Sequence, residues 1–289
     1  MSTLIESVLN GVFLGALYAI IGLGLSIGFG VLNIVNLAHG DFMILGAMIS
    51  LGVSYWLKVD ALTTIVIVVP AMAFLGYIFQ RFIMSRTLTA GPLSPLLTTF
   101  GISIVLQNVM QEAFTADTRV LPLSETLTGG ALQVGTVSVG TLPLLTTLVA
   151  LTIFVAMELM LRKTSVGRIL RATSDDRSTV RLVGINDGKV FALASALVFA
   201  LVGVAAVFYG VRSPFTPMSG PERLLFAFEA VVMGGLGSMW GTLVGGVALG
   251  LAQMLGESVH TGYGPFTGHI AFFLALLILP HGIFGRSAK

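Results

Sequence analysis

Long blocks without a single charged side chain dominate this sequence and decide its fold class. No charge stands between Glu6 and Asp41, and the same holds for Phe42 to Leu57, Ala61 to Gln80, Thr87 to Gln111, Thr126 to Met157, Val190 to Val211, Ala230 to Gly256 and Ser258 to Gly285. A helix needs roughly 20 apolar residues to cross a hydrocarbon core about 30 Å thick, and most of these blocks are that long. The runs are continuous, unlike the alternating strands of a barrel. An all-α polytopic membrane protein follows, with about eight spans.

Composition agrees. The charged fraction is 10%, against roughly 25% in soluble domains, and mean hydropathy is +0.98. No stretch changes to soluble composition, so one transmembrane domain over 1–289, with a cytoplasmic loop at 162–189, is expected. With no cysteine, disulfides, thiolate metal sites and cysteine nucleophiles are excluded. A net charge of +2, with the basic residues confined to a few loops, argues against nucleic-acid binding. The first basic residue is Lys58 and the opening block outruns a cleavable signal, so it reads as a retained span.

Orientation comes from the basic residues. Arg81 and Arg86, then Arg162, Lys163, Arg168, Arg171, Arg177, Arg181 and Lys189, then Arg286 and Lys289 belong on the cytoplasmic side. Lys58, Arg119, Arg212 and Arg223 are left outside, with the amino terminus. A parity problem remains, because an even number of crossings must join the second basic loop to the tail and only three blocks lie between them. The segment Leu224 to Gly256, with Gly234, Gly235, Gly237 and Gly241, is expected to be broken or doubled back, which raises the count to about eight to ten. Gly91, Pro92 and Pro95 break the chain before the fourth span, and Gln133 to Val139 alternates like a strand among Gly129, Gly130, Gly135 and Gly140.

Four segments carry information. Asn33, Asn36, His39, Gly40 and Asp41 bring two amides, an imidazole and a carboxylate to the start of a span. They read either as a translocation path or as an interfacial turn with Asn33 and Asp41 capping helix ends. In the other half, Gly237, Gly241 and Gly245 recur every four residues and, with Gly234 and Gly235, read as close helix packing. Paired with Gly11, Gly15, Gly24 and Gly28, they also point to a transporter built from inverted repeats. Glu229, within a hydrophobic block and six residues past Arg223, is a further path or gating candidate, while Glu158 reads as an i,i+4 partner of Arg162. In the loop 162–189, Ser174 with Asp175 and Asp176 predicts a helix start. Val180, Leu182 and Val183 predict its apolar face, and Gly184 its end, giving an amphipathic docking surface.

At these residues the sequence resembles the branched-chain amino acid permeases of ABC importers, of the shorter LivH type. The likeness runs through Asn10-Gly11, Gly15 to Ala19, Asn36 to Asp41, Gly167-Arg168, Arg171-Ala172, Gly184-Ile185-Asn186, Gly234 to Ser238 and Pro280 to Arg286. It implies a multi-pass protein of the bacterial inner membrane that works with a second, longer permease, two cytoplasmic ATPases and an extracytoplasmic solute-binding protein. It also carries the role of the ATPase-coupling helix onto Gly167 to Asn186, including Asp175 and Asp176. Ser178 and Thr179 stand where such loops usually show an alanine.

No cofactor is expected and the chain is not read as an enzyme. Gly184 to Val190 falls short of a phosphate loop in spacing and in its last residue. Relatives of the class are also associated with urea and short amides. A secondary transporter or channel would need more ionisable groups in mid-span. An intramembrane enzyme using His39 and Asp41 would need a nucleophile or metal cluster, and His260, His269 and His281 read as scattered in loops.

Overall fold

The computed structural model describes residues 2–32, 34–87, 91, 93–124, 129–134 and 137–285. Asn33, Pro92, Gly135, Arg286 and Lys289 lie outside the described residues, as does the side chain of Ser178. Every uncharged block contains a helix, and Ala230 to Gly256 holds the end of one and most of the next. Helix α1 (Ser2–Ile27) runs on through a π-helical turn, Gly28–Leu32, and α2 (His39–Leu57) stops where Lys58 turns left-handed, φ 54°. Helix α3 (Ile65–Ile78) leaves through a second π-helical turn, Phe79–Met84, and α4 (Ser94–Phe114) has Pro95 in its first turn. A hairpin, β1 (Ala131–Val134) and β2 (Val137–Gly140), precedes α5 (Thr141–Lys163), α6 (Ser165–Asp175) and α7 (Arg177–Leu182). Then follow α8 (Asp187–Arg212), α9 (Gly220–Gly234), α10 (Met239–Val259) and α11 (Gly264–Ile278).

Six helical segments are long and apolar enough to cross a membrane: Leu4–Leu32, α2, Ala61–Thr87, α5, α8 and α10. Helix α4 has the length with a more polar composition, and α11 is apolar but short at 15 residues. Besides α7, three starts are fixed by side chains. Thr164, Asn186 and Ser238 each accept a backbone N–H from the residue three further on, a cap worth about 1 kcal/mol.

The chain forms two compact units, residues 1–26, 123–152 and 225–289 in one, 27–122 and 153–224 in the other. In the first, α1 and α10 run antiparallel along glycines. A Cβ on Gly11 would meet Leu251, one on Gly15 would meet Gly246 and Val247, and one on Gly22 would meet Thr242. Helices α9 and α10 form a tight hairpin, with Gly234 against Gly241 and Ala230 against Gly245. Gly235 and Gly237 make its turn with φ of 106° and 79°, which only glycine adopts without strain. Gly256 then packs on Thr267, so α11 runs back beside α10. Val139 of the hairpin packs with Phe13.

In the second unit α8 is the central, largely buried element. Phe199 meets the rings of Phe42 and Phe79, with centroids 4.6 and 5.5 Å away. Gly76 allows α3 to touch Phe199, and Gly203 allows α8 to touch Met72. This makes α8 antiparallel to α3 and parallel to α2.

The break expected within Leu224 to Gly256 is present, since the chain doubles back at Gly235 and Gly237 between α9 and α10, and a second irregular stretch precedes α9. Residues 213–219, after α8, are not helical. Phe215 is buried and exchanges two backbone hydrogen bonds with Arg119, each 2.9 Å. Gly220 then packs on Gly40, two residues before Phe42, whose ring lies against Phe199 near the middle of α8. The chain between α8 and α9 is thus non-helical and held against its neighbours. Irregular backbone at that depth needs protein neighbours, which the Arg119–Phe215 bridge supplies.

Candidate functional site

In the second unit the centre is Asp41. It lies in the first turn of α2 and is fully buried. Two side chains one turn apart on α4 reach it. Ser103 Oγ donates to Oδ2 at 2.5 Å and Gln107 Nε2 to Oδ1 at 2.9 Å. From the remaining side the start of α9 closes in, since a Cβ on Gly220 would overlap the Asp41 carboxylate. Asp41 is therefore held by three elements and does not cap a helix at an interface. A carboxylate at this depth is tolerable because its oxygens are hydrogen-bonded. Asn36 builds the preceding turn, its Oδ1 accepting from Ala38 N at 3.0 Å and its carbonyl from His39 N at 3.2 Å. His39 is buried beside it in sequence, and Gly40 lets the α9 backbone approach.

The second place is the loop between α5 and α8. On α6, Gly167, Leu170 and Thr173 face inward, while Arg168, Arg171, Ala172 and Asp175 form an exposed stripe at i, i+3, i+4 and i+7. A Cβ on Gly167 would overlap the carbonyls of Met160 and Leu161, so the glycine lets α6 fold against the end of α5. The other end of α6 is tied to α1. Ser174 Oγ donates to the Gly30 carbonyl at 2.7 Å, and the Arg177 guanidinium donates to the Leu32 carbonyl at 3.3 Å while lying over the Phe191 ring, 4.2 Å from its centre. These acceptors lie in the π-helical end of α1, where last-turn carbonyls lack helical partners.

Two expectations for this loop are corrected. Ser174 is not a cap; it closes α6, and Asp176 caps α7 by accepting from Thr179 N at 3.2 Å. Of the apolar residues only Val180 turns inward, while Leu182 and Val183 are 86% and 70% exposed. Gly184 ends α7 with φ 82°, Ile185 N donates back to the Val180 carbonyl, and Asn186 starts α8.

The third place is Glu229 on α9, in the first unit. It does not turn to Arg223, which stands 3.2 Å from Glu222 and over the Tyr209 ring. Its Oε1 lies 2.5 Å from His269 Nδ1. His269 is thus no loop residue; it sits inside α11, which Pro265 starts. Of the glycines Gly234, Gly235, Gly237, Gly241 and Gly245, three pack the α9–α10 hairpin. The other two turn it, Gly235 lying beside Gly282 and Gly285.

Ser103, Gln107, Ser174, Arg177, His269 and Gln253 escaped sequence reasoning. Ser103 and Gln107 had a signal, as polar residues four apart in an apolar block. His269 and Gln253 had none, because their partners lie 40 and 235 residues away.

Comparison with known proteins agrees along the whole chain. Residues 7–279 match the family described as branched-chain amino acid transport system / permease component. The chain is 32% identical to the high-affinity branched-chain amino acid transport system permease protein LivH of Escherichia coli K12, over 98% of this chain and 96% of that protein. It is 31% identical to LivH of Salmonella typhimurium LT2 over the same shares, and 29% identical to BraD of Pseudomonas aeruginosa PAO1, again over 98% and 96%.

Proposed function

The chain belongs to the branched-chain amino acid transport permease family, and on that footing we propose that it is the membrane subunit that passes hydrophobic amino acids through an ATP-driven importer of the inner membrane. It is a transport subunit and not an enzyme; hydrolysis belongs to partner subunits. The proposed assembly is this chain with a second related permease, two cytoplasmic ATPases and an extracytoplasmic binding protein that delivers the solute.

The observation that carries the reading is α6. One face offers Arg168, Arg171, Ala172 and Asp175 to a partner, and the opposite side is bonded through Ser174 and the neighbouring Arg177 to the end of α1. A push from an ATPase on that stripe is delivered to a membrane-crossing helix. Leu182 and Val183 extend the same exposed surface with apolar area. Asn36, His39, Gly40 and Asp41, where α2, α4 and α9 converge, are the proposed gating residues of the second unit, and Glu229 that of the first.

The test is solute-stimulated ATP hydrolysis by the purified complex with its binding protein. Leucine, isoleucine and valine should stimulate it. Stimulation by urea or acetamide and by none of the three amino acids would move the chain to the amide-transporting branch.

A further inference from the structure

Five side chains from four helices, Glu229 among them, form a cluster within the first unit. Phe226, one turn before it on α9, stacks on Tyr18 of α1 at 5.4 Å and, almost parallel at 4°, on His269 of α11 at 5.4 Å. Tyr18 OH donates to Gln253 Oε1 of α10 at 2.8 Å. A Cβ on Gly268, the residue before His269, would lie 2.8 Å from Gln253 Nε2, so the amide nitrogen faces the same turn of α11. The cluster is therefore continuous from Gln253 through Tyr18, Phe226 and His269 to Glu229.

Two polar atoms in it are left over. Glu229 Oε2 and Gln253 Nε2 are buried and have no hydrogen-bond partner among the described residues. Glu229 is 2% exposed in its side chain, whereas His269 is 41% exposed, so the pair leads from the surface of the unit to its interior. An ion pair kept for packing alone would satisfy both carboxylate oxygens, and an apolar replacement would serve packing as well. What remains open is one carboxyl oxygen and one amide donor, flanked by aromatic faces.

We propose that this cluster is a binding step for the zwitterionic end of the amino acid in passage: the substrate ammonium donates to Glu229 Oε2 with the Tyr18 and Phe226 rings beside it, and the substrate carboxylate accepts from Gln253 Nε2. The proposal rests on the permease reading and adds to it the substrate groups recognised and the residues that recognise them. His269 is a positioning residue, holding Glu229 Oε1 so that Oε2 faces the path. An ammonium beside aromatic faces and a carboxylate gains both cation–π and charge-assisted terms, which an uncharged amide does not.

The experiment uses the complete importer in proteoliposomes, with saturating binding protein and labelled leucine. Glu229→Gln and Gln253→Leu should each lower the maximal uptake rate at least tenfold. The leucine concentration for half-maximal rate, fixed by the binding protein, should stay as in the wild type. If Glu229→Gln does not assemble, Gln253→Leu and His269→Gln carry the test. Wild-type maximal rates in the assembled variants overturn the proposal while leaving the permease reading standing. A wild-type complex that carries acetamide or urea and not leucine overturns both.

Discussion

Asp41 shows how a single residue can be costly and retained. Its carboxylate is out of reach of solvent, and the fold supplies Ser103, Gln107 and a glycine contact to keep it there. Ser103→Ala removes a donor to a buried charged group and should cost about 1.5–3 kcal/mol, read as a lower midpoint of thermal unfolding in detergent. Asp41→Asn keeps the shape and should lower ATP-driven uptake at least tenfold while the ATPases still copurify. Normal uptake by Asp41→Asn would leave the site a packing device. The polar residues of Asn36 to Asp41 were legible in the sequence because charge is conspicuous in an apolar chain. Their partners on α4 left a signal, polar residues four apart in an apolar block, but nothing in the sequence said what that face meets.

At the scale of elements, α6 and α7 concentrate the coupling argument. Arg171→Glu reverses the charge at the middle of the exposed stripe and should weaken ATPase recruitment by about 30-fold or more if that contact is desolvated in the complex. Copurification yield at matched expression is the measure. Gly184 stands in open space with φ 82°, so Gly184→Val is opposed by backbone strain alone, about 1–2 kcal/mol, and should disturb the junction of α7 and α8 without changing charge. Ser174→Ala should leave recruitment intact and lower uptake per ATP hydrolysed, because it cuts the tie to Gly30. The sequence located this loop and its terminal glycine but assigned the cap to Ser174. Local propensity favours a serine ahead of two acids as a cap, and only the tertiary acceptor at Gly30 explains why that hydroxyl points elsewhere.

For the molecule as a whole, the uncharged blocks located the helices and the basic loops set their expected direction. The count stayed open because α9 and α11 are 15 residues each, shorter than the usual span, and residues 213–219 have no helical period to read. The chain lacks cysteine, so single-cysteine variants report side directly. Cysteines at Asp117 and Thr261 should react with an impermeant thiol reagent from outside, and one at Leu182 from the cytoplasmic side only. Thr261 labelled from the cytoplasm would contradict a count in which α8, α9, α10 and α11 each cross. The central claim is ATP-driven passage of hydrophobic amino acids. It is tested most directly in proteoliposomes holding the complete complex, with binding protein outside, ATP inside and labelled leucine offered at low concentration. The account predicts accumulation against the gradient that requires both ATP and binding protein and is lost with Arg171→Glu. Equal accumulation without ATPases or ATP would contradict it.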